Sequence, residues 1–159
     1  MSGIFDDYVE SHPEDVLPPD AISYLLGKII NFSFAKFAQQ LSRDRQEQWQ
    51  SLKSALESWK ARLPASYAPF SHSGLHGNPF PSLWMLQPCH IAAQQYLAIA
   101  EMLLILNNPR LERESLSQHM SELVQDQALR ICGMAWTTAD EAAWVNSFGP
   151  MAFCELAQT

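Results

Sequence analysis

The most regular hydrophobic pattern of the chain lies between residues 49 and 63. Apolar residues recur there at alternating steps of three and four, within roughly 80° of arc on a helix that turns about 100° per residue. Pro64 ends the segment because proline has no N–H to donate, and Arg45 interrupts the stripe on its N-terminal side. The pattern predicts a helix over residues 35–62 with a buried stripe of Trp49, Leu52, Leu56, Trp59 and Leu63.

The residues before this stripe predict one shorter helix. Asp20 is placed to cap its N-terminus, because apolar residues then follow at helical spacing. Gly27 and residues 31–33 favour a break or bend near its end. Residues 1–19 contain several acids, three prolines and no lysine or arginine, so we expect an acidic irregular leader there.

Residues 88–107 form the most apolar helical segment of the chain. Its first residue is a proline, which suits the first turn of a helix, and an Asn-Asn-Pro run ends it. Gln94, Gln95 and Glu101 mark a narrow polar strip. A helix that is apolar around most of its circumference is normally surrounded by other elements, so we expect this one to be central.

Two more helices are predicted after the central one. Ser115 and Gln118 have the spacing of a capping box before a helix over residues 116–135, and the same spacing recurs at Thr138 before a fifth helix. The Gly149-Pro150 pair must bend or stop the fifth helix, because Pro150 lacks an N–H and crowds the preceding turn. The predicted apolar faces contain Leu116, Met120, Leu123, Ile131 and Met134 in the fourth helix, and Trp144, Val145 and Phe148 in the fifth.

Residues 64–87 form a long connection rich in proline, glycine and aromatic residues. Connections of this length in compact domains tend to be functional or packed by their own side chains. No segment of the chain shows the alternation of a strand. The sequence therefore predicts an all-α fold of about five helices around the central helix 88–107, in a single helical domain over residues 20–159.

Charge and cysteine usage narrow the class of protein. The formal net charge is −7 and there is no long basic run, which is unfavourable for binding nucleic acid. Cys89, Cys132 and Cys154 are odd in number and widely spaced, which favours a reduced intracellular environment. No secretory signal is visible, and the apolar run 91–106 is too short and too polar to span a membrane comfortably. We expect a soluble protein without a membrane partner.

Few residue combinations point to catalysis or to a metal. Cys89 and His90 are neighbours that point about 100° apart on a helix, so a buried structural thiol is the favoured interpretation of Cys89. His72 and His76 have metal-ligand spacing only on a helix, and they lie in the long connection without an acid or thiol nearby. The carboxylates of residues 112–126 fit a solvated helix face. We predict no catalytic, cofactor-binding or metal-binding residue, and no cofactor in this chain.

Taken in order, these segments resemble the regulatory domain of fungal-specific transcription factors, the zinc binuclear cluster regulators. W-x-x-L-x-x-x-L-x-x-W-x-x-x-L-P over residues 49–64 is followed by a proline- and aromatic-rich linker, P-x-H at residues 88–90 and an apolar helix with a central tyrosine. A-L-R-I-C-G-M-A at 128–135 and W-V-N-S-F-G-P at 144–150 are similar to the family's next two segments. The signature residues are Trp49, Leu52, Leu56, Trp59, Leu63, Pro64, Pro88, His90, Tyr96, Cys132, Gly133, Trp144, Phe148 and Gly149.

The resemblance implies an all-α regulatory domain in the nucleus that takes part in regulation of transcription by RNA polymerase II, without catalysis or DNA binding by this chain itself. It implies protein partners, among them a second copy or a full-length relative, and it allows a small-molecule effector. The six-cysteine cluster that holds two zinc ions in the family is not in this sequence, so zinc and DNA would be bound only by a missing N-terminal module. Family members continue with further helices, so we expect an incomplete domain with exposed apolar surface around Phe148.

Two other functions stay open from the sequence. A helical small-molecule-sensing module would hold its ligand in a pocket under the connection 64–87, beside helix 88–106. An enzyme would most plausibly depend on Cys89. The first would be stabilised by its ligand, and the second would lose its activity in a Cys89→Ala variant.

Overall fold

The computed structural model describes residues 18–35, 42–72, 80–110, 118–139 and 141–156. Their architecture is all-α, as predicted, with one short two-stranded sheet added. The elements are α1 (Pro18–Phe34), α2 (Ser42–Arg62), a 3₁₀ turn (Ala65–Tyr67), β1 (Phe70–His72), β2 (Ser82–Trp84), α3 (Pro88–Leu106), α4 (Gln118–Trp136) and α5 (Glu141–Leu156).

The first helix differs from its prediction at its start and at Gly27. It begins at Pro18, so Asp20 lies in the first turn and is not the N-cap. Prolines are tolerated there because the first N–H groups of a helix have no partner within it. The helix also passes Gly27 without a break, since Ile22 and Ile29 are fully buried and hold both halves against the core.

The tryptophan stripe of α2 is buried as predicted. Trp49, Leu56 and Trp59 are all less than a tenth exposed, while Leu52 and Leu63 are partly buried against the same cluster. Each indole also finds an acceptor, because Trp49 Nε1 donates to Leu104 O at 2.8 Å and Trp59 Nε1 to Pro18 O at 3.1 Å. The residues around this stripe form the first cluster, made of Ile22, Leu25, Leu26, Ile29, Phe32, Trp49, Leu56, Trp59, Tyr67, Ala93, Leu97, Ala100 and Leu104.

Arg45, which interrupts the stripe, is itself buried. Its guanidinium carbon lies 4.3 Å from the centre of the Phe32 ring, and its Nη1 donates to Phe32 O at 3.3 Å. A cation over an aromatic face is favourable, so Arg45 ties α2 to the end of α1. The predicted N-terminal extension of α2 over residues 36–41, with Leu41, lies outside the described residues.

Helix α3 is central, as predicted, and contacts all four other helices. It is long and apolar enough to cross a membrane by length and composition, but 56% of the apolar stretch is buried among its neighbours, as in the core helix of a folded domain. The predicted polar strip is wrong at two positions, because Gln94 and Gln95 are buried. Their amide groups bond to carbonyl groups of neighbouring elements, and burying an amide costs little when it is hydrogen-bonded.

The connection 64–87 contains structure that the sequence did not predict. β1 and β2 pair antiparallel, with Phe70 opposite Trp84 and His72 opposite Ser82. Strands of three residues are too short to show the period-two alternation on which a strand prediction rests. Residues 73–79, between the strands, lie outside the described residues.

The last two helices correct two predictions. In α4 Ile131 and Met134 are buried as predicted, but Leu123 is 38% exposed, and the face also buries Val124, Ala128, Cys132 and Ala135. Of the two effects predicted for Gly149-Pro150, a bend or a stop, the stop is wrong, because α5 continues to Leu156. One proline removes a single backbone donor, and the remaining hydrogen bonds carry the helix past it. Ser115 and the side chains of Leu116 and Met120 lie outside what is described.

Candidate functional site

Helix α5 buries a different side from the one that its sequence predicts. Trp144, Val145 and Phe148, the predicted apolar face, are 41%, 64% and 65% exposed. Ala143 and Ser147 are each only 2% exposed and lie against the rest of the protein. The described part of this helix therefore turns small residues inward and large apolar residues outward.

Polar contacts explain why the side of α5 with Ala143 and Ser147 packs against the rest of the protein. Gln95 of α3 is fully buried, and its Nε2 donates to Ala143 O at 2.9 Å and to Ile131 O at 3.3 Å. Asn146 Nδ2 donates back to Gln95 Oε1 at 3.1 Å, and Ser147 Oγ donates within α5 to Trp144 O at 2.7 Å. Because a buried amide without partners would be costly, this network fixes which side of α5 faces inward.

The outward residues join others to form one apolar surface. The rings of Trp136 and Trp144 are 6.1 Å apart in an edge-to-face arrangement, and the ring of Phe80 lies 6.4 Å from that of Trp136. Such spacing is typical of favourable aromatic pairs. Trp136, at the end of α4, is 57% exposed. We define the aromatic surface as Phe80, Trp136, Trp144, Val145 and Phe148.

This part of the chain has little charge, and all of it is negative. From residue 131 to the end of the sequence there is no lysine or arginine, and the only acids are Asp140, Glu141 and Glu155. None of the residues of the aromatic surface is charged, and the segment that contributes four of the five has no lysine or arginine to attract phosphate groups of nucleic acid or of an anionic membrane.

Gly133 brings the hairpin to this surface. A Cβ atom at Gly133 would collide with the carbonyl oxygen of Pro81 and would meet Pro81 Cγ at 3.0 Å. Only glycine allows the backbone at Pro81 to come this close to α4. The hydroxyl of Thr137 donates to Leu83 O on the same side of α4. These contacts hold Phe80, the residue before Pro81, beside Trp136.

The structure does not gather the signature residues into one site. Trp49, Leu52, Leu56, Trp59, Leu63 and Tyr96 pack in or against the first cluster, whereas Cys132 and Gly133 are buried in α4. Trp144 and Phe148 belong to the aromatic surface. Pro64 and Pro88 are exposed at the ends of elements, and the surroundings of Gly149 lie outside the described side chains.

Cys89 and His90 lie in different environments. Cys89 is exposed, so its predicted burial is wrong, and its Sγ lies 3.6 Å from Gln87 Oε1. His90 is buried, with its ring 4.0 Å from that of Tyr67. Desolvation, followed by the negative charges of Cys89 and Asp20, raises the pKa of Tyr67. His90 is therefore packed against Tyr67, while the neighbouring thiol faces solvent.

No metal centre is visible in the part of the chain that is described. Its His, Cys, Asp and Glu side chains form no group of three that could hold an ion. His72 ends β1, and His76 lies outside the described residues. Glu122 and Asp126 are exposed on α4, as expected for a solvated helix face.

Surface clefts are formed by described residues, and two of them have similar volumes. One, of about 390 Å³, lies between α2, α3 and the first half of α4; the other, of about 380 Å³, lies between α1 and α2. Neither of these two is lined by residues 64–87. The lining of the larger cleft includes Trp49, Lys53, Leu56, Glu101, Leu104 and Leu123.

An ion pair lies beside the larger cleft, because its two carboxylates, those of Glu57 and Glu101, are among the lining residues. Lys60 Nζ lies 2.7 Å from Glu101 Oε1 and 3.5 Å from Glu57 Oε1. Partial desolvation acts to lower the pKa of Lys60, but the hydrogen bond and charge of Glu101, joined by Glu57, raise it overall. The pair links α2 to the central helix.

The sequence contained a signal for the aromatic surface that periodicity alone could not interpret. Trp144 and Phe148 share one side of α5, and Ala143 and Ser147 share a side about 100° away. A small and polar side is a docking face only when a neighbour supplies matching polar groups. Gln95 does so here, 48 residues from Ala143.

Comparisons with known proteins add no family to these observations. No family model matches the chain, and no curated protein or solved structure matches it.

Proposed function

We propose that this chain is a regulatory and interaction domain of the fungal transcription factor kind, and that it acts in the nucleus on transcription by RNA polymerase II. It works through protein partners, without catalysis and without binding DNA by itself. The observation that carries the proposal is the aromatic surface, which places Trp144 and Phe148 of the signature at the surface of the domain.

Large exposed aromatic residues next to one another support an interaction role. Most of a soluble protein's surface carries scattered apolar residues, but contiguous apolar patches of several hundred Å² mark interaction sites. Tryptophan and phenylalanine are also enriched at the centres of protein interfaces, where charged residues are depleted. The aromatic surface has this composition.

The contacts beneath the aromatic surface favour a fixed shape for it. α5 is held by the buried Gln95 network, and the hairpin is held by the close contact between Gly133 and Pro81. Apolar anchors on elements that are already ordered lose less conformational entropy on binding. This suits a domain whose task is to present a surface.

A reporter assay tests the proposal. The 159-residue chain is fused to an unrelated DNA-binding domain in a fungal nucleus, and output is measured from a promoter carrying that domain's site. We expect the wild-type fusion to change output, and the Trp144→Glu/Phe148→Glu double variant to lose the effect. Phe34→Glu is the matched control, because Phe34 is an aromatic residue 74% exposed on α1, outside the aromatic surface.

Two outcomes would contradict the proposal. One is a wild-type fusion that leaves reporter output unchanged although it accumulates in the nucleus. The other is salt-dependent binding of the purified chain to duplex DNA, because the proposal gives this chain no DNA-binding role.

A small-molecule-sensing module is the second candidate function, and the larger cleft favours it. The cleft has the volume of a small ligand site, with the buried side chains of Trp49, Leu56 and Leu104 among its lining residues. A metabolite that raises the Tm of the wild-type protein, but not that of an Ile105→Trp variant with a filled cleft, would support sensing. If no metabolite in a broad panel shifts the Tm, this candidate falls.

A further inference from the structure

We propose that the larger cleft, between α2, α3 and the first half of α4, binds a free α-amino acid with an apolar side chain. The inference rests on the second candidate function, because it names the class of ligand that the same cleft would take. It starts from two residues of opposite charge, Lys53 and Glu57, which line the cleft one helical turn apart on α2.

Lys53 and Glu57 present their charges separately. Residues four apart lie on the same side of a helix, with Cβ atoms about 5–6 Å from each other. However, Lys53 Nζ lies 5.1 Å from the centre of the Trp49 ring, and Glu57 Oε1 lies 3.5 Å from Lys60 Nζ. Among the residues that the structure describes, no carboxylate forms an ion pair with Lys53. This side of the cleft therefore offers a cation and an anion that one ligand can bind together.

The charges at the cleft also balance. Lys60 Nζ is closer to Glu101 Oε1, at 2.7 Å, than to Glu57 Oε1, and the Glu57 side chain is 57% exposed against 17% for Glu101. Lys60 thus neutralises Glu101, whereas Glu57 and Lys53 remain for a ligand. A ligand with a single charge would be attracted by one of these two residues and repelled by the other. A zwitterion, with an ammonium group beside a carboxylate, is attracted by both.

Two amide side chains that line the cleft add donors. Asn108 Oδ1 accepts from Arg110 N at 3.1 Å, and Gln127 Oε1 accepts from Arg130 Nη1 at 3.3 Å. An amide whose oxygen is already engaged still has two N–H groups to donate. Asn108 and Gln127 therefore supply donors for the carboxylate of the ligand.

The apolar part of the lining suits an apolar side chain. Trp49, Leu56 and Leu104 are each less than a tenth exposed, while Leu123 lines the cleft from α4 and is 38% exposed. An apolar group placed there would cover Leu123 and remove apolar surface from water. The cleft volume of about 390 Å³ lies within the usual range of small-molecule sites, and it holds an amino acid as large as phenylalanine.

The test is a titration of the full 159-residue chain with three probes that share a phenyl ring. L-Phenylalanine carries both charges, phenethylamine only the ammonium group, and 3-phenylpropionate only the carboxylate. The NMR signal of the Trp49 indole N–H reports binding, because this group donates to Leu104 O and both residues line the cleft. We expect L-phenylalanine to bind in the millimolar range or below, by the usual affinity per atom of small ligands. Each analogue should bind about fivefold more weakly, since it loses one exposed ion pair.

Two charge-removing variants assign each end of the ligand. Lys53→Gln should weaken L-phenylalanine and 3-phenylpropionate about fivefold without weakening phenethylamine. Glu57→Gln should weaken L-phenylalanine and phenethylamine by a similar factor without weakening 3-phenylpropionate. Both side chains are exposed on α2, so these variants should fold, as checked by far-UV circular dichroism.

Glu47→Gln is the matched control for Glu57→Gln. It makes the same change of charge on the same helix, but Glu47 pairs with Arg43 at 3.1 Å and does not line the cleft. It should bind all three probes as the wild type does. L-Phenylalanine that leaves the Trp49 signal unchanged well above the millimolar range would overturn the inference. So would equal affinities of the three probes, or an order of affinities that neither Lys53→Gln nor Glu57→Gln changes.

Further results separate the inference from sensing itself. If L-phenylalanine does not bind, but another metabolite raises the Tm of the wild type and not that of Ile105→Trp, the amino-acid inference falls and sensing stands. If L-phenylalanine binds as expected, but the reporter fusion responds identically with and without it, the site stands and sensing falls. Tighter binding of phenethylamine or of 3-phenylpropionate than of L-phenylalanine would overturn the amino acid in favour of an amine or an acid.

Discussion

The tryptophans of α2 and α5 are used in opposite ways. Trp49 and Trp59 are 8% and 6% exposed, and each indole N–H donates to a backbone carbonyl group of another helix. Trp144 is 41% exposed, and it lies beside Trp136, which is 57% exposed. Large apolar side chains hold the first cluster together, whereas α5 is docked by small side chains and by the hydrogen bonds of Gln95.

The difference shows that burial of a helix does not require its most apolar side to face inward. In α2 the stripe is the only side with large apolar residues, because the remaining positions are charged, polar or alanine. In α5 the small side with Ala143 and Ser147 fits closely against α3 and α4, and the polar groups there are satisfied by Gln95 and Asn146. The aromatic side then remains available for a partner.

The largest expected effect comes from breaking the first cluster. Trp59→Ala should lower the free energy of unfolding by about 3–5 kcal/mol, since it removes a buried aromatic side chain and leaves a cavity. Trp144→Ala is the matched change on the aromatic surface and should cost the monomer below about 1 kcal/mol. Urea denaturation at dilute protein concentration measures both. Equal losses would show that the two tryptophans are not used differently.

The next effect comes from the polar contacts that dock α5. Gln95→Leu should cost about 2–3 kcal/mol, because the change removes two donated hydrogen bonds and leaves Asn146 Nδ2 without its acceptor. Gln94→Leu is the matched control, since Gln94 donates one hydrogen bond, to Tyr67 O at 2.9 Å. Urea denaturation curves should rank Gln95→Leu as the more destabilising of the two. The reverse order would argue against the polar docking of α5.

The approach of the hairpin to α4 gives a smaller effect. Gly133→Ala should cost about 1–2 kcal/mol, because its methyl group collides with Pro81 and the contact must open. Gly27→Ala should instead stabilise the protein by up to about 1 kcal/mol, since alanine is the better helix former and no atom lies within 4 Å of the added methyl group. Thermal unfolding of the two variants should shift in opposite directions. A destabilised Gly27→Ala would contradict this description of α1.

Alkaline pH should produce the smallest effect. It tests only the part of the molecule around α2 and the 3₁₀ turn, where Lys60 and Tyr67 lie. The pKa values of Lys60 and Tyr67 are both raised in the folded protein, so each group holds its proton more tightly there. Their contribution is complete below the unfolded values of 10.5 and 10.0 and is lost as the pH rises through the folded values. The Tm should therefore fall more steeply above pH 10.5 in wild type than in a Lys60→Met/Tyr67→Phe double variant. Identical slopes would show that neither group is linked to folding.

The helices were predictable because the residues that specify each helix lie close together in the sequence. The stripe of α2, the proline at the start of α3 and the central place of α3 follow from periodicity and chain stereochemistry. The two three-residue strands were missed because they are shorter than the alternation that identifies a strand. Cys89 was expected to be a buried structural thiol because it cannot face His90 on a helix, but it lies on the exposed side of the first turn of α3, whereas His90 is buried.

The aromatic surface could not be predicted because it depends on contacts between distant segments. The inward side of α5 is set by Gln95, which was predicted to be a surface residue. The place of Phe80 is set by Gly133, whose role is visible only when Pro81 lies against it. Hydrogen bonds between distant segments, and close contacts between a backbone and a helix, do not produce a periodic pattern in the sequence.

The most direct test of the account follows the indole N–H signals of the wild-type protein by NMR, with hydrogen exchange and dilution. The account predicts slow exchange for Trp49 and Trp59 at every concentration, because both donate to buried acceptors. It predicts fast exchange for the Trp136 and Trp144 signals, because these two side chains are 57% and 41% exposed. Trp144 protected as strongly as Trp59 at the lowest concentration would contradict it.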